Sequence, residues 1–169
     1  VPPCIQGGVP MNITVIAVGK LKESFWSAAC AEYCKRLSAY AKVCVREVAD
    51  VDPAKAGGEA GALAREAEGI LGVCKSLPER TRIILLAIDG KERSSEEFAA
   101  RLEELAIGGV SDVAFVIGGS AGVDASVRAR ADETLSFGRI TLPHNLARVV
   151  LLEQVYRAFK INRGEPYHK

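Results

Sequence analysis

The chain is poor in the residues that usually mark a metal centre or a redox site. It has two histidines, His144 and His168, and five cysteines (Cys4, Cys30, Cys34, Cys44 and Cys74) with no CxxC pair and no histidine beside them. Cys30 and Cys34 lie one helical turn apart, but two thiols without further ligands make a poor zinc site. We read four of the cysteines as small buried hydrophobes of a protein kept in a reducing cytosol. A cytoplasmic location and no metal are therefore expected. No apolar run approaches the ~20 residues of a membrane-spanning helix, so no membrane partner is expected. Charge of either sign is not in excess. The net charge of +1 excludes a broad polycationic grip on nucleic acid, although from Val123 onward eight Lys and Arg face five Asp and Glu.

Methionine occurs once, at Met11, directly before a strand-like run. The ten residues ahead of it hold three prolines, two glycines and no basic residue, unlike a signal or transit peptide. Translation is expected to start at Met11, with residues 1–10 an upstream extension or a cloning remnant and residues 11–169 a single domain. At 169 residues, 49% hydrophobic and 25% charged, such a chain can bury most of its apolar surface and be soluble.

Strand and helix patterns alternate. Residues 12–19 (NITVIAVG) read as a buried strand closed by glycine. Ser24 is expected to cap a helix to about Tyr40, with Phe25, Ala28, Ala29, Tyr33 and Leu37 on one buried face. Residues 43–48 form a second strand. Asp52-Pro53 reads as a cap with proline at the first helical position. Glycines 57, 58 and 61 delay the helix that follows, placing it over residues 63–75. Residues 82–89 (RIILLAID) and 112–117 (DVAFVI) are apolar on both faces, as central strands of a parallel sheet are. Between them, Ser94 with Glu97 forms a capping box. A short helix spans about 124–133, the last strand 139–142, and a long amphipathic helix follows Pro143. Five strands alternating with five helices predict a three-layer α/β sandwich around a mostly parallel sheet.

Two segments carry the chemistry. The run Ile117-Gly118-Gly119-Ser120-Ala121-Gly122 delivers glycines to the carboxyl edge of a parallel sheet, where open α/β folds bind ligands. It is not a dinucleotide fingerprint, since GxGxxG is absent, nor a P-loop, since it has no lysine. The other segment is the carboxyl end. Both histidines fall within residues 140–169, which finish on Tyr167-His168-Lys169. The final helix has apolar residues at 146, 149, 150, 152, 155, 156 and 159, a stripe wide enough to suggest burial on two sides and a homodimer. Glu153 interrupts it, either pairing with an arginine or belonging to the site. Arg148 or Arg157 could face RNA or a partner subunit; solvated arginine is the default. His144 either orients the first turn of the helix or touches ligand.

Three segments together, LLAIDGKE (residues 85–92), FVIGGSAGV (115–123) and LSFGRITLPHNLARVVLLEQVYRAFKINRGEPYHK (135–169), resemble the ribosomal RNA large-subunit methyltransferase H family, the smallest members of the SPOUT class. The resemblance runs from Met11 to Lys169. It implies a C-terminal trefoil knot, a homodimer, S-adenosylmethionine as methyl donor and N3 of a pseudouridine in a large-subunit ribosomal RNA hairpin as acceptor, within the ribosome. It places the donor against Leu86, Gly118 with Gly119, and the stretch Phe137, Gly138, Arg139, Ile140, Thr141 and Leu142. Backbone groups of such a stretch can read the adenine edge without dedicated side chains. N3 of a uracil ring is protonated at neutral pH, so the acceptor needs a base or a positive field. His168, whose ordinary pKa is ~6.5, is the candidate base; Tyr167 could stack on a ring, and Lys169 could touch phosphate. Alternatives are a SPOUT enzyme acting on another RNA such as tRNA, or a ribosome-binding module without catalysis.

Overall fold

β-Branched and aliphatic runs supply five strands: β1 Met11–Val18, β2 Ala41–Val48, β3 Arg82–Leu86, β4 Asp112–Ile117 and β5 Glu133–Leu135. The computed structural model describes residues 10–169, so the reading of residues 1–9 lies outside it. The strands form one sheet in the order β2-β1-β4-β3-β5, and every pairing is parallel. Five helices connect them: α1 Ser24–Leu37, α2 Glu59–Ser76, α3 Ser95–Ile107, α4 Ala125–Arg130 and α5 His144–Asn162.

The period-two alternation of each strand divides the interior into two cores. Ile13, Val15, Ala17, Ile84, Val113 and Phe115 face α1, α3 and α5, meeting Cys30, Leu37, Phe98, Leu102, Leu151 and Val155. Ile16, Val18, Ile83, Leu85, Ala114 and Val116 face the other way, onto Ala67, Ile70 and Cys74 of α2 and Val127 of α4. The three-layer sandwich expected from the sequence is the observed one. The sheet is parallel throughout, not only mostly so.

Several local expectations shift for physical reasons. Ser24 begins α1 and Glu23 holds the cap position, with no side-chain cap. Phe25 and Ala28 are exposed rather than buried, because the helix turns Cys30 and Leu37 inward. Cys44 is also exposed: β2 is an edge strand whose alternate residues meet solvent. Asp52 caps as expected through Ala54 N–H at 3.0 Å, but the helix it opens is a single 3-10 turn, Pro53–Lys55. The capping box at Ser94 and Glu97 is present in full.

Helix α2 starts at Glu59, four residues before the position read from the glycine cluster. Gly61 explains the difference. The 3-10 turn folds back so closely that a Cβ on residue 61 would stand 1.9 Å from the Ala56 carbonyl oxygen. Here glycine permits a close approach of backbone rather than delaying the helix. Gly61→Ala should therefore destabilise the protein by about 1–3 kcal/mol despite alanine's better helix propensity. Urea denaturation checks the sign, since propensity alone predicts a gain.

Candidate active site

Strands β4, β3 and β5 are neighbours running in one direction, so the loops that leave them share one edge of the sheet. Leu86 ends β3, Gly118 and Gly119 follow β4, and residues 137–142 follow β5. All the expected donor-binding positions thus gather at the carboxyl edge, where such sheets bind ligands.

Two of these loops are bound to each other. Ala87 N–H donates to the Leu135 carbonyl at 2.9 Å, and Ser136 N–H donates to the Lys91 carbonyl at 2.9 Å. The buried Ser136 hydroxyl donates to the Ile88 carbonyl at 2.8 Å and accepts from Gly138 N–H at 3.1 Å. A Cβ on Gly90 would lie 3.0 Å from both the Ala87 oxygen and the Leu135 carbonyl carbon, so glycine there lets the loops close without crowding. Beyond Ser136 the chain has run past the end of β3 and turns at Gly138 with φ of +104°. The strand expected over 139–142 is consequently absent; β5 lies earlier, where β3 can pair with it. Arg139, Ile140 and Thr141 are exposed. Among the described residues their backbone groups take no hydrogen-bond partner in the chain, which leaves them free for a ligand.

The glycine loop closes on itself, with Gly122 N–H donating to the Gly119 carbonyl at 3.1 Å. A Cβ on Gly118 would meet Val123 Cγ1 at 2.7 Å and the Gly122 oxygen at 2.8 Å, so Gly118 serves the loop's own shape. Behind it lies a buried acid that the sequence did not single out. Glu66 Oε1 accepts from Val51 N–H at 3.1 Å, and burial, with Asp50 nearby, pushes its carboxyl above the usual range.

The carboxyl tail folds back along α5. The Tyr167 ring meets Tyr156 edge-on at 4.9 Å, lies under the Arg157 guanidinium at 4.7 Å, and its hydroxyl donates to Glu153 Oε1 at 3.2 Å. Arg157 also pairs with Glu153 at 2.5 Å. His168 is held on both ring nitrogens, by Arg157 at Nδ1 (3.1 Å) and by Glu96 at Nε2 (2.7 Å). A guanidinium only donates, so Nδ1 is the acceptor and the proton is on Nε2. The bond to His168, aided by backbone and Ser94 donors, holds the Glu96 carboxyl below the usual range. That contact is intact above the ordinary carboxylate range and lost as pH falls through the lowered value.

A cavity of about 520 Å³ opens between these parts. Phe137 and Gly138 line it from the β5 loop, Ser95 and Phe98 from α3, and Val150 and Gln154 from α5. Leu86, Gly118, Gly119 and residues 139–142 do not.

A family model described as "Predicted SPOUT methyltransferase" matches residues 11–168. The chain belongs to the SPOUT methyltransferase family. Proteins named ribosomal RNA large subunit methyltransferase H from Listeria welshimeri and Bacillus thuringiensis are each 56% identical to it over 160 residues, covering 94% of this chain and 100% of the relative. Solved structures share the fold at much lower identity. A probable methyltransferase from Bordetella pertussis aligns with a TM-score of 0.55 at 11% identity, covering 89% of this chain and 95% of that one. A probable methylase family protein from Haemophilus influenzae gives 0.52 at 14%, covering 94% and 70%.

Within this SPOUT fold one expected RNA contact is corrected. Arg148 is 2% exposed; its guanidinium pairs with Glu47 at 3.0 Å and donates to the Gly19 carbonyl at 3.2 Å. It fastens the start of α5 to the ends of β1 and β2 and cannot reach RNA. Arg157 is half-buried and bonded to the tail. His144 is half-buried, with its ring beside Gly19. Lys169 remains exposed. Among the described residues no three His, Cys, Asp or Glu side chains gather as a metal would require. No helix there is long and apolar enough to cross a membrane.

One titration and one unfolding measurement test this geometry. Burial, reinforced by the Glu153 carboxylate, pushes the Tyr167 phenol from 10.0 up to about 12. A raised acid stabilises the docked tail fully below its ordinary value and loses that contribution as pH climbs through the raised one. Ultraviolet titration of phenolate should show late-ionising tyrosine whose amplitude falls in Tyr167→Phe. Arg148→Ala should cost about 3 kcal/mol in denaturant unfolding, the low end for breaking a buried ion pair, because Glu47 is partly exposed.

Proposed function

We propose that this protein transfers the methyl group of S-adenosylmethionine to N3 of a pseudouridine in large-subunit ribosomal RNA, acting as a homodimer on the ribosome. The observation that carries the reading is the 56% identity to proteins named ribosomal RNA large subunit methyltransferase H along their whole length, on a chain whose loops meet at one sheet edge. The sheet order, and the bonding of residues 87–91 around residues 134–138, are consistent with the trefoil knot of the class.

In this reading the donor's adenine edge meets the free backbone groups of residues 139–141, with Leu86, Phe137 and Leu142 as its apolar walls. Gly118 and Gly119 hold the glycine loop beside it. Transfer breaks the bond from sulfur to the methyl carbon as the bond from carbon to N3 forms. The N3 proton leaves to a base, and S-adenosylhomocysteine departs. Holding donor and acceptor in line supplies much of the rate. The tail supplies the acceptor side. Arg157 and His168 place positive charge and an imidazole there, the neutral Tyr167 phenol packs between them and α5, and Lys169 is available to phosphate.

The homodimer is supported by surfaces left without a partner. Phe25 is 62% exposed at the start of α1, Ala28 is exposed beside it, and Leu146, Val149 and Val150 of the adjacent α5 are only half-buried. A second copy covering this face would remove it from water.

Calorimetry should show donor binding, and ribosomal RNA from cells without this gene should be one methyl lighter at one pseudouridine by mass mapping. Deleting residues 167–169 should leave folding and donor affinity intact and lower transfer at least about a hundred-fold, the worth of a preorganised polar contact at the reacting centre; unchanged turnover would remove the tail from the mechanism. Wild-type protein should sediment as a dimer and Phe25→Glu as a monomer.

A further inference from the structure

The cavity beside Phe137 and Gly138 has a polar wall whose hydrogen-bonding sense is fixed. The Gln154 amide donates to Glu153 Oε2 at 2.7 Å. A carboxylate only accepts, so the amide cannot be flipped, and its Oε1 faces α3. There the Ser95 hydroxyl donates to Gln154 Oε1 at 2.7 Å. The one proton of that hydroxyl is committed, and Ser95 Oγ offers the cavity lone pairs alone. Among the described residues the second N–H of Gln154 has no partner. The wall therefore presents an acceptor beside a donor, with Phe98 and Phe137 as aromatic lining.

Its charge also selects. Glu92 and Glu97 line the cavity against a single Arg93, a negative balance that disfavours phosphate and suits a neutral ring. A volume of about 520 Å³ lies within the ~300–1,000 Å³ typical of small-ligand sites. Phe137 and Gly138 belong both to this cavity and to the donor loop. The tail contact at Glu96 adjoins Ser95, and Glu153 adjoins Gln154, so the cavity lies between donor loop and tail.

We propose that this cavity receives the acceptor nucleoside and that Ser95 is its specificity-determining residue, resting on the reading of the protein as a pseudouridine methyltransferase. A uracil joined to its sugar through carbon keeps a proton on N1, next to the C2 carbonyl. Ser95 Oγ accepts that N1–H, and the free N–H of Gln154 donates to the C2 carbonyl. Uridine carries its sugar on N1 and has no proton to give, so the committed Ser95 oxygen would face it without a partner. Ring recognition through N1 and the C2 carbonyl leaves N3 open to the methyl donor.

The test measures kcat/KM on large ribosomal subunits from cells lacking this gene, prepared with pseudouridine and, from cells without the synthase, with uridine at the target. Wild-type protein should prefer pseudouridine. Ser95→Ala should cut that preference by about three- to ten-fold, the worth of one hydrogen bond. Ser95→Thr, which keeps the oxygen, should retain it. Donor affinity by calorimetry and the melting temperature should be unchanged in both. An unchanged preference in folded Ser95→Ala would overturn the subsite while leaving the enzyme reading intact. A ten-fold loss of donor affinity would assign the cavity to the donor instead. Wild-type protein that methylates neither particle would overturn the functional reading and this subsite with it.

Discussion

Ser136 is the fastening on which the rest of the site depends. It is 3% exposed, and its hydroxyl and backbone together bond to Ile88, Lys91 and Gly138. These bonds join the loop after β3 to the chain leaving β5 at the point where the sheet ends and strand pairing can no longer guide the backbone. Buried polar groups hold geometry when they are bonded, and the Ser136 hydroxyl and N–H both are. On one side of it residues 139–141 are turned outward with unpaired backbone; on the other, Phe137 and Gly138 close the cavity. The proposed donor loop and the cavity are two faces of one crossing.

The second constraint is electrostatic and works through α5. Arg148 secures its first turns to the ends of β1 and β2, and Asn162 bonds to the Ala99 carbonyl near its end. Between these points, Glu153, Gln154 and Arg157 project toward α3 and the tail. Glu165 pairs with Lys160 and accepts from Tyr40, so the chain's reversal after the helix is itself anchored. The tail is thus a docked element, with an aromatic ring between a guanidinium and α5 and an imidazole bonded at both nitrogens.

Much of the architecture could be read from periodicity. Runs apolar on both faces, such as RIILL and DVAFVI, have only one solution in a chain with alternating helices, a central parallel strand. The box at Ser94 and Glu97 and the cap at Asp52 are local chemistry and were found where sequence placed them. What failed was information that resides in other parts of the chain. The last strand could not be located from Arg139-Ile140-Thr141-Leu142, β-prone though it is, because the reach of β3 decides where pairing stops. Arg148 looked like a surface cation, since nothing nearby in sequence announces Glu47, a hundred residues away. Glu96, Gln154 and Ser136 carry no motif; only the meeting of α3, α5 and the β5 loop gives them partners. The position of the cavity was beyond reach for the same reason. The resemblance of the terminal segment suggested a donor loop, which composition alone could not.

The unpaired backbone of Arg139, Ile140 and Thr141 has an evolutionary consequence. Every amino acid except proline presents the same N–H and carbonyl, so side chains at this rim can drift while the hydrogen-bonding face stays unaltered. Inhibitors gripping only these main-chain atoms would leave point mutation few routes of escape, because the surface they hold is not encoded by residue identity.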